Sequence, residues 1–589
     1  MNLSSTIKSI QDIMRKDDGV DGDAQRLGQL TWMLFLKVFD QREEEWEDDN
    51  ASYRSPLPEH FRWRNWAAYV AGPDGKKAPQ KSPSDIISFV NNELFPGLKE
   101  LDANLSPQHK VIRSVFEDAN NYMKSGTQLL AVIEKLEEAI NFHDFTTRAS
   151  LGDVYEQMLN DLRGAGNAGE FYTPRAITQF MVDRINPRLD KREKVIDPAC
   201  GTGGFLTAAI DHFRKQITDK SSAEDQRAIE NLIHGIEKKQ LPHLLCTTNM
   251  LLHGIDVPSQ IEHKNTLAIG WNDWNANDRV DCVITNPPFG GYEDDNVAAG
   301  YHHPTKETAD LFMQLIVKLL RENGRAAVVL PDGFLFGDGI KAEIKKRLMQ
   351  QCKLHTIVRL PKGVFAPYTT IKTNLLFFTK GPFIDDGSEH FHTDSIWFYE
   401  HPYPAGYKSY SKTKPIRFEE FKPEQDWWGN ADNDFADRVE NEFAWKIDFS
   451  AKRQQAEAAA QPHWQRAEQL NNQASGLENQ ARDLAKSLVG STDSAYRGQI
   501  NAQIAALREQ VEPLRLQARD AQAAGDRLYW PIYNLDVPNP NKPQEESHDP
   551  DLLLEKYKTL LGEIQETENN LKSELASALA HHFTAEQVE

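Results

Sequence analysis

The sequence has few features of a secreted or membrane protein. It contains four cysteines in 589 residues, Cys200, Cys246, Cys282 and Cys352, and their wide spacing predicts reduced core thiols and no metal site. No apolar run reaches membrane-spanning length, and the start of the chain lacks a signal-peptide pattern. These absences predict a cytoplasmic chain with no membrane contact.

Positive charge is also scarce, and the phosphate-binding motif of ATP-driven motors is missing. The formal net charge is −21, so the overall field opposes binding to nucleic acid. If the protein meets nucleic acid, a local basic groove or a partner must supply the phosphate contacts. No Gly-x-x-x-x-Gly-Lys-Ser/Thr sequence occurs, which argues against motor activity in this chain.

The length and the changing sequence texture predict several domains. Residues 1–150 have helical periodicity and predict a helical N-terminal domain. Residues 151–385 alternate strand and helix patterns, which predicts a doubly wound α/β sheet. Residues 386–450 are predicted to be an irregular, aromatic extension. We predict a coiled-coil hairpin at 451–525 and a partner-docking C-terminal helix within 526–589.

Apolar residues repeat at alternating steps of four and three in two consecutive segments, Leu470–Leu488 and Ile500–Ala518. This heptad pattern predicts an antiparallel coiled-coil hairpin, with a kink at Pro513 in its second arm. A third apolar run, Leu553–Leu571, predicts the C-terminal helix. Such surfaces either dock a partner or pack on their own chain.

The most informative stretch is the tetrapeptide Asn286-Pro287-Pro288-Phe289, which follows the predicted buried strand Val280–Thr285. Proline cannot donate to a sheet ladder and holds the preceding residue extended, so Asn286 and the Pro287 carbonyl form a preset pair of acceptors. With the ring of Phe289 beside them, they suit a planar ring that carries an amine. The alternative is an ordinary strand-ending turn.

A glycine-rich turn follows another predicted strand, Val195–Asp197, and opens a predicted helix. Its residues Gly201, Thr202, Gly203 and Gly204 allow a ligand to approach the backbone and the free N–H groups of the helix. Asp197 disfavours phosphate and favours a ligand with a cationic end, such as the aminoacyl part of S-adenosylmethionine.

Two further segments complete the candidate site. Glu237 ends the next predicted strand, where an acid can accept hydrogen bonds from both ribose hydroxyls of an adenosine ligand. Upstream, Thr173 and Pro174 predict a helix start, with Thr173 as N-cap and Pro174 as first helical residue; a plain capped helix is the alternative. The whole upstream segment comprises Glu170, Phe171, Tyr172, Thr173, Pro174 and Arg175.

In this order, the turn after Asp197, the acid at Glu237 and the Asn286 tetrapeptide resemble the motifs of amino-group DNA methyltransferases. With the helical N-terminal region and the C-terminal helices, the chain is similar to the modification (methylase) subunits of type I restriction–modification systems. The resemblance implies a Rossmann-like, S-adenosylmethionine-dependent domain that methylates adenine N6 at specific DNA sites.

The resemblance also implies roles for the site residues. Phe171, Tyr172, Thr173 and Pro174 would fold over the methionine end of S-adenosylmethionine, with Glu170 and Arg175 as further cofactor-binding candidates beside them. Asp197 and the Gly201–Gly204 turn would cradle the cofactor, and Glu237 would hold the ribose. Within the Asn286–Phe289 tetrapeptide, the first two residues would bind the amine of a flipped adenine and Phe289 would stack on it. The family's Gly-Asp-Thr-Leu acid is replaced by Asn265, which remains a candidate contact to the cofactor's adenine.

The implied chemistry is a direct in-line displacement that depends on alignment and desolvation. No Pro-Cys dipeptide is present to serve a cytosine-C5 methylase. Cytosine-N4 methylation, methylation of a protein glutamine and a non-catalytic scaffold remain alternatives. The implied partners are DNA, a specificity subunit joined by two copies of this chain, and a motor and endonuclease subunit.

Overall fold

The structure, a computed structural model, describes residues 3–72, 75–141, 173–218, 221–369, 371–489, 493–542 and 564–576, with the single positions 152, 155, 156, 159, 557, 558, 561 and 562. Met1–Asn539 forms one compact unit and Pro540–Glu589 a second. The domain boundaries predicted inside the first unit remain predictions.

The N-terminal part is helical, as the sequence predicted. Its elements are α1 (Leu3–Met14), α2 (Gly22–Asp49), the short strands β1 (Val70–Ala71) and β2 (Lys77–Ala78), α3 (Pro83–Phe89), a π turn (Val90–Leu94), α4 (Phe95–Lys99), α5 (Pro107–Phe116) and α6 (Gly126–Ala139). Ser82, Ser106 and Ser125 cap α3, α5 and α6 by accepting from backbone N–H groups, which satisfies donors that a helix start leaves free.

The N-terminal helices share one hydrophobic core with the sheet region. Trp32 and Trp66 are fully buried in this core, and Leu244 and Leu251 of the helix Gln240–Leu252 join it. That helix follows directly after a strand of the main sheet, so the shared core packs the helical region against the α/β region.

A nine-stranded sheet forms the centre of the first unit. Its strands are β3 (Val195–Asp197), β4 (Ile233–Glu237), β5 (Ile261–His263), β6 (Val280–Thr285), β7 (Leu320–Pro331), β8 (Cys352–Arg359), β9 (Thr373–Lys380), β10 (Ser395–Glu400) and β11 (Ala444–Asp448). Their spatial order is β11-β10-β8-β9-β7-β6-β3-β4-β5. The predicted doubly wound α/β fold is confirmed.

Parallel pairing places the candidate site residues at one edge of this sheet. Strands β5, β4, β3, β6 and β7 are mutually parallel neighbours, so their carboxyl ends meet at the same edge. Asp197 ends β3, Glu237 ends β4, and Asn286 follows β6. We call this the catalytic edge. Strand β9 runs antiparallel between β7 and β8.

Helices cover both faces of the sheet. They are α7 (Arg175–Ile185), α8 (Gly204–Lys215), α9 (Ala223–Leu232), α10 (Gln240–Leu252), α11 (Asp295–Ala298), α12 (Thr308–Leu319), α13 (Asp332–Phe336), α14 (Ile340–Gln351) and α15 (Lys422–Trp427). Neighbouring residues of β9 serve opposite cores: Phe377 packs with α7 on one face, and Leu376 packs with α12 on the other. This alternation is the period of two expected of a strand.

The expectation that residues 386–450 are irregular was wrong for two segments. Strand β10 pairs in parallel with β8, and β11 pairs antiparallel with β10 at the end of the sheet. The indole ring of Trp445 in β11 stacks on Phe398 in β10, with ring centroids 5.3 Å apart. The sheet therefore extends beyond the predicted boundary at residue 385.

The predicted hairpin is present as α16 (Phe449–Ser487) and α17 (Ser494–Tyr529). Leu470, Ala474 and Ala481 of α16 are buried, as are Ile504 and Ala518 of α17. The arms are antiparallel: Trp464 Nε1 donates to Asp526 Oδ1 at 3.0 Å, and further along Arg515 pairs with Glu478 at 2.8 Å. Helix α17 continues through Pro513, and the predicted kink there remains a prediction.

In the second unit, residues 564–576 are helical, and Ile564 and Leu571 of the predicted C-terminal apolar run are exposed. The residues Leu553 and Leu560 of that run lie outside the described residues.

Candidate active site

The glycine-rich turn links β3 to α8 through left-handed backbone conformations. Gly201 has φ +54° and Gly203 has φ +84°, which glycine adopts without strain. A Cβ on Gly203 would lie 2.8 Å from Cys246 Sγ, so the close packing of α10 under the turn also requires glycine there. The turn thus exposes the N-terminal N–H groups of α8, which begins at Gly204.

Asp197 is a buried carboxylate directly beneath this turn. One of its oxygens, Oδ1, accepts hydrogen bonds from Thr285 Oγ1 at 2.6 Å and from the Ala199 N–H at 3.1 Å. Burial raises the pKa of Asp197 from 3.8 to about 7, and the nearby charge of Glu237 contributes to the rise. A buried acid of this kind is stabilised in its ionised form by a cation. Sequence reasoning did not identify Thr285, although it directly precedes the tetrapeptide.

Glu237 ties the ends of β3 and β4 together. Its Oε2 accepts from the Gly201 N–H at 2.9 Å, and its Oε1 accepts from the Lys239 N–H at 2.8 Å. The two oxygens of a carboxylate offer about four acceptor positions, so positions remain for a ligand. Behind the turn, Asn249 Nδ2 donates to the Thr202 carbonyl at 3.1 Å, a support that no sequence pattern indicated.

Asn286 has one satisfied and one unsatisfied side-chain atom. Its Nδ2 donates to Thr173 Oγ1 at 2.9 Å, while its Oδ1 is buried and has no hydrogen-bond partner among the described residues. A buried acceptor without a partner costs roughly 1–3 kcal/mol. The atom is therefore suited to a ligand that brings an N–H donor.

The rest of the tetrapeptide is held in place by α12. Thr308 Oγ1 donates to the Pro288 carbonyl at 2.9 Å, and the Thr308 N–H donates to the Gly291 carbonyl at 3.0 Å. Pro287 is buried, Pro288 is exposed, and Phe289 is half-buried against the hydrophobic core of the sheet.

The predicted residues from three separate sequence segments line one pocket. Its lining comprises Thr173, Asp197, Ala199, Cys200, Gly201, Thr202, Gly204, Phe205 and Asn286. The structure thus brings Thr173 of the upstream segment, the glycine-rich turn and Asn286 of the tetrapeptide together at the catalytic edge. The four cysteines are free and buried, as predicted.

The upstream segment differs from its prediction at Thr173. Helix α7 begins at Arg175, with Pro174 in the N-cap position and no side-chain cap, so the prediction that Thr173 is the N-cap was wrong. The Thr173 hydroxyl oxygen instead accepts the hydrogen bond from Asn286 Nδ2. Arg175 pairs with Glu156 at 2.8 Å and with Asp211 at 3.5 Å. The predicted cofactor residues Glu170, Phe171 and Tyr172 lie outside the described residues.

Asn265 is engaged within the protein through both of its polar atoms. Its Oδ1 accepts from the Leu267 N–H at 3.1 Å, and its Nδ2 donates to Glu293 Oε2 at 3.1 Å. Glu293 also accepts from Lys238 Nζ at 2.9 Å. This bridge links the end of β4 to the loop that follows the tetrapeptide, and sequence reasoning missed Glu293.

Across the described part of the chain, no group of three or more His, Cys, Asp and Glu side chains is placed to hold a metal ion. In the same residues, no helix combines the length and apolarity needed to cross a bilayer.

Comparison with known proteins gives matches along most of the chain. The family described as N-6 DNA Methylase matches residues 146–472, and the HsdM N-terminal domain matches residues 3–136. The type I restriction enzyme EcoEI methylase subunit of Escherichia coli is 48% identical over 584 residues, which cover 98% of this chain and 99% of that protein. The EcoKI methylase subunit of Escherichia coli K12 is 29% identical over 72% of this chain and 75% of its own length.

Solved structures agree with these matches. A modification subunit assigned to a type I restriction enzyme from Vibrio vulnificus YJ016 has 39% identity and a TM-score of 0.62, over 76% of this chain and 92% of that chain. A chain solved in work on assembly and conformational transition of the type I R-M system has 30% identity and a TM-score of 0.67, over 97% of this chain and 98% of that chain. The fold, the site and the matches together show that the chain belongs to the N-6 DNA methylase family, among the methylase subunits of type I restriction enzymes.

Proposed function

We propose that the adenine-specific DNA methyl transfer of this methylase subunit takes place at Asn286, with S-adenosylmethionine bound at the catalytic edge between Asp197 and Glu237. The observation that supports this most strongly is the buried, unpartnered Oδ1 of Asn286 in the pocket lined by the glycine-rich turn. An exocyclic amine supplies the missing donor.

The residues predicted for the catalytic edge fit the cofactor. S-adenosylmethionine supplies an electrophilic methyl group. Asp197 would hold its cationic aminoacyl end, because that charge favours ionisation of a carboxylate whose pKa is raised to about 7. The Gly201–Gly204 backbone would surround it, and Glu237 would accept from the ribose hydroxyls with its remaining acceptor positions. Phe171 and Tyr172 would close over the methionine end.

At the target base, the tetrapeptide orients the nucleophile. Asn286 Oδ1 and the Pro287 carbonyl would accept the two N6 hydrogens of a flipped adenine, and Phe289 would stack on its ring. Accepting these hydrogens draws the nitrogen lone pair out of ring conjugation, which makes it available for in-line attack. The hydrogen bond that Asn286 Nδ2 donates to Thr173 Oγ1 fixes which side-chain atom would face the base, so the protein contributes alignment and a dry site.

The net charge of −21 supports a division of labour between subunits. A specificity subunit would provide most phosphate and base contacts, with two copies of this chain in its complex, and a motor and endonuclease subunit would complete the restriction enzyme. On its own, this chain would bind DNA weakly and without sequence preference, because a strongly negative protein gains little from phosphate neutralisation.

The Asn286→Ala variant tests the proposal. Transfer of tritium from labelled S-adenosylmethionine to DNA, measured with the co-encoded specificity subunit, should fall to background. Calorimetric titration should show nearly unchanged cofactor binding, since Asn286 is assigned to the base. Asn272→Ala, at an exposed position, is the control and should retain activity.

Retained methyl transfer in Asn286→Ala, or loss of cofactor binding in a folded variant, would contradict the assignment. Digestion of the labelled DNA identifies the product. Detection of N6-methyladenine supports the proposed reaction, whereas detection of N4-methylcytosine shows that the enzyme methylates cytosine N4 instead.

A further inference from the structure

A second cavity lies away from the catalytic edge. Its volume is about 760 Å³, which falls in the range of small-molecule binding sites, ~300–1,000 Å³. Arg279 directly precedes β6, and Lys318, the penultimate residue of α12, lies two residues before the start of β7. Lys380 ends β9, opposite Cys352, the first residue of β8. The cavity is therefore at the amino ends of the parallel strands, on the opposite edge of the sheet.

Four cationic side chains line this cavity: Arg279, Lys318, Arg347 and Lys380. This concentration is unusual in a chain with a net charge of −21. Burial lowers the pKa of Lys318 and that of Lys380, and charge repulsion adds to the effect of burial, because Arg279 lowers the pKa of Lys318 and both arginines lower the pKa of Lys380. An anion in the cavity would relieve this repulsion.

The protein leaves these cations without carboxylate partners. Lys380 Nζ donates to Gln351 Oε1 at 2.8 Å and to the Val317 carbonyl at 3.2 Å, and Lys318 donates to the Trp271 carbonyl. Within the described residues, Arg279 and Arg347 form no side-chain hydrogen bond or ion pair, and none of the four cations is in an ion pair. All their acceptors are therefore neutral.

Within the described residues, no carboxylate near the cavity pairs with one of the four cations. Glu389 lines the cavity but pairs with Lys346 at 2.8 Å and accepts from Gln350 at 2.6 Å. Asp273 partly offsets the lowered pKa of Lys318 without reaching ion-pair distance. Guanidinium groups with free N–H donors in a concave site are typical of phosphate recognition.

Apolar and aromatic surface completes the lining. Trp271 and Phe383 border the cavity, and Phe383 is 89% exposed, so a face of its ring is open to a ligand. The combination of two arginines and an open aromatic ring fits a molecule that carries phosphate on an apolar or aromatic body. We propose that this cavity binds a small phosphorylated ligand of the nucleotide class, with its phosphate groups on Arg279 and Arg347 and its body against Phe383.

The proposal is tested by titrating the full-length chain with ATP, inorganic pyrophosphate and adenosine in the presence of saturating S-adenosylmethionine. ATP and pyrophosphate should bind, adenosine should not bind detectably, and binding should weaken with salt because screening reduces charge attraction. The double variant Arg279→Gln with Arg347→Gln should weaken ATP binding by at least about tenfold, the lower end for loss of a hydrogen bond to a charged group.

The control is Arg188→Gln with Arg192→Gln, which removes the same charge at exposed positions paired with Asp190 and Asp225. It should bind ATP like the parent protein, and both double variants should bind S-adenosylmethionine normally. The proposal is overturned if neither ATP nor pyrophosphate binds, if saturating S-adenosylmethionine displaces them, if the two double variants behave alike, or if only duplex DNA binds. These outcomes are independent of methyl transfer at Asn286.

Discussion

The hydrogen bond between Asn286 and Thr173 joins two residues that are 113 positions apart. It uses the amide nitrogen of Asn286 and leaves the side-chain oxygen without a hydrogen-bond partner among the described residues. This arrangement makes Thr173 a positioning residue for the proposed reaction, although its own hydroxyl performs no chemistry.

Replacing Thr173 with Val should therefore slow methyl transfer without abolishing it. The variant keeps the shape but removes the acceptor, and a neutral hydrogen bond is worth about 0.5–1.5 kcal/mol, so we expect kcat at saturating cofactor to fall about two- to tenfold. Thr173→Ser retains the hydroxyl and should restore most of the rate. Equal rates for the Val variant and the parent protein would show that Asn286 is held by other contacts.

Asp197 should make cofactor binding depend on pH. Its pKa in the folded protein is raised from 3.8 to about 7, so its contribution to folding stability is greatest at acidic pH and is lost as pH rises through 7. A cationic ligand selects the ionised form of Asp197, so the affinity for S-adenosylmethionine should rise as pH rises. If only that form binds, the apparent Kd at pH 6 is about tenfold higher than at pH 8.

Calorimetry at pH 6, 7 and 8 measures this dependence. Asp197→Asn, which cannot ionise, should bind weakly at pH 8 and show a flat profile across this range. A parent protein whose Kd is constant between pH 6 and 8 would contradict the role given to Asp197.

The sequence allowed prediction of the site residues that depend on local pattern. Asp197 ends one strand, and the Gly201–Gly204 turn comes after that strand; Asn286 follows another. Both strands are visible as apolar runs in the sequence. Two contacts were not predictable, namely the hydrogen bond from Asn286 to Thr173 and the bridge between Glu293 and Asn265. Each depends on which segments of the chain the sheet brings together. A Thr-Pro pair normally signals a capped helix, and here a long-range contact replaced that local role.

Among whole elements, β6 and β7 follow from local sequence pattern, whereas the pairing of β10 with β11 depends on long-range contacts. The first two pair with neighbours in a continuous strand–helix alternation. Strand β10 is separated from β11 by more than 40 residues of turns and short helices, and their pairing rests on contacts such as that between Phe398 and Trp445. The run Ile396–Tyr399 in β10 is nevertheless typical of a short buried strand, a signal that sequence reasoning missed.

In the hairpin, Gly525 is expected to resist a substitution that normally stabilises helices. Alanine has a helix propensity about 1 kcal/mol better than glycine, but a Cβ at this position would lie 2.6 Å from Cδ1 and Nε1 of Trp464. The indole would have to move and lose its hydrogen bond to Asp526. We expect Gly525→Ala to destabilise the hairpin by about 1–3 kcal/mol, measured by urea denaturation followed by circular dichroism.

Gly498 provides the matched control in the same helix, because nothing lies within 4 Å of a Cβ added there. Gly498→Ala should stabilise the hairpin by about 0.5–1 kcal/mol. If both alanine variants stabilise it, the contact with Trp464 does not restrict position 525.

For the whole molecule, we propose that the exposed apolar residues of the second unit form the surface that docks a partner. Leu561, Ile564, Leu571 and Leu575 are 46–68% exposed and recur on one side of the helix. Replacing Ile564 and Leu571 with Lys should release the proposed specificity subunit while cofactor binding is unchanged. Co-purification with that subunit measures the effect.

The control variant places the same two charges on a neighbouring side of that helix, as Gln565→Lys with Asn569→Lys. It should still co-purify with the specificity subunit. If the Ile564 and Leu571 variant also retains the partner, the C-terminal apolar surface is not the docking site.

The hairpin begins without a linker at the end of the sheet. Helix α16 starts directly after β11, and Asp448 Oδ1 at the junction accepts from the Ala451 N–H at 2.8 Å. At 1.5 Å per residue, its 39 residues make an arm about 58 Å long. Its first turns pack on the core of the sheet through Phe449, Ala456 and Ala460, so the part beyond Trp464 is about 35 Å long and a rotation of about 5° at its base displaces its tip by about 3 Å. We propose that the hairpin amplifies small angular changes at the margin of the methylase sheet into displacements that a bound protein can follow.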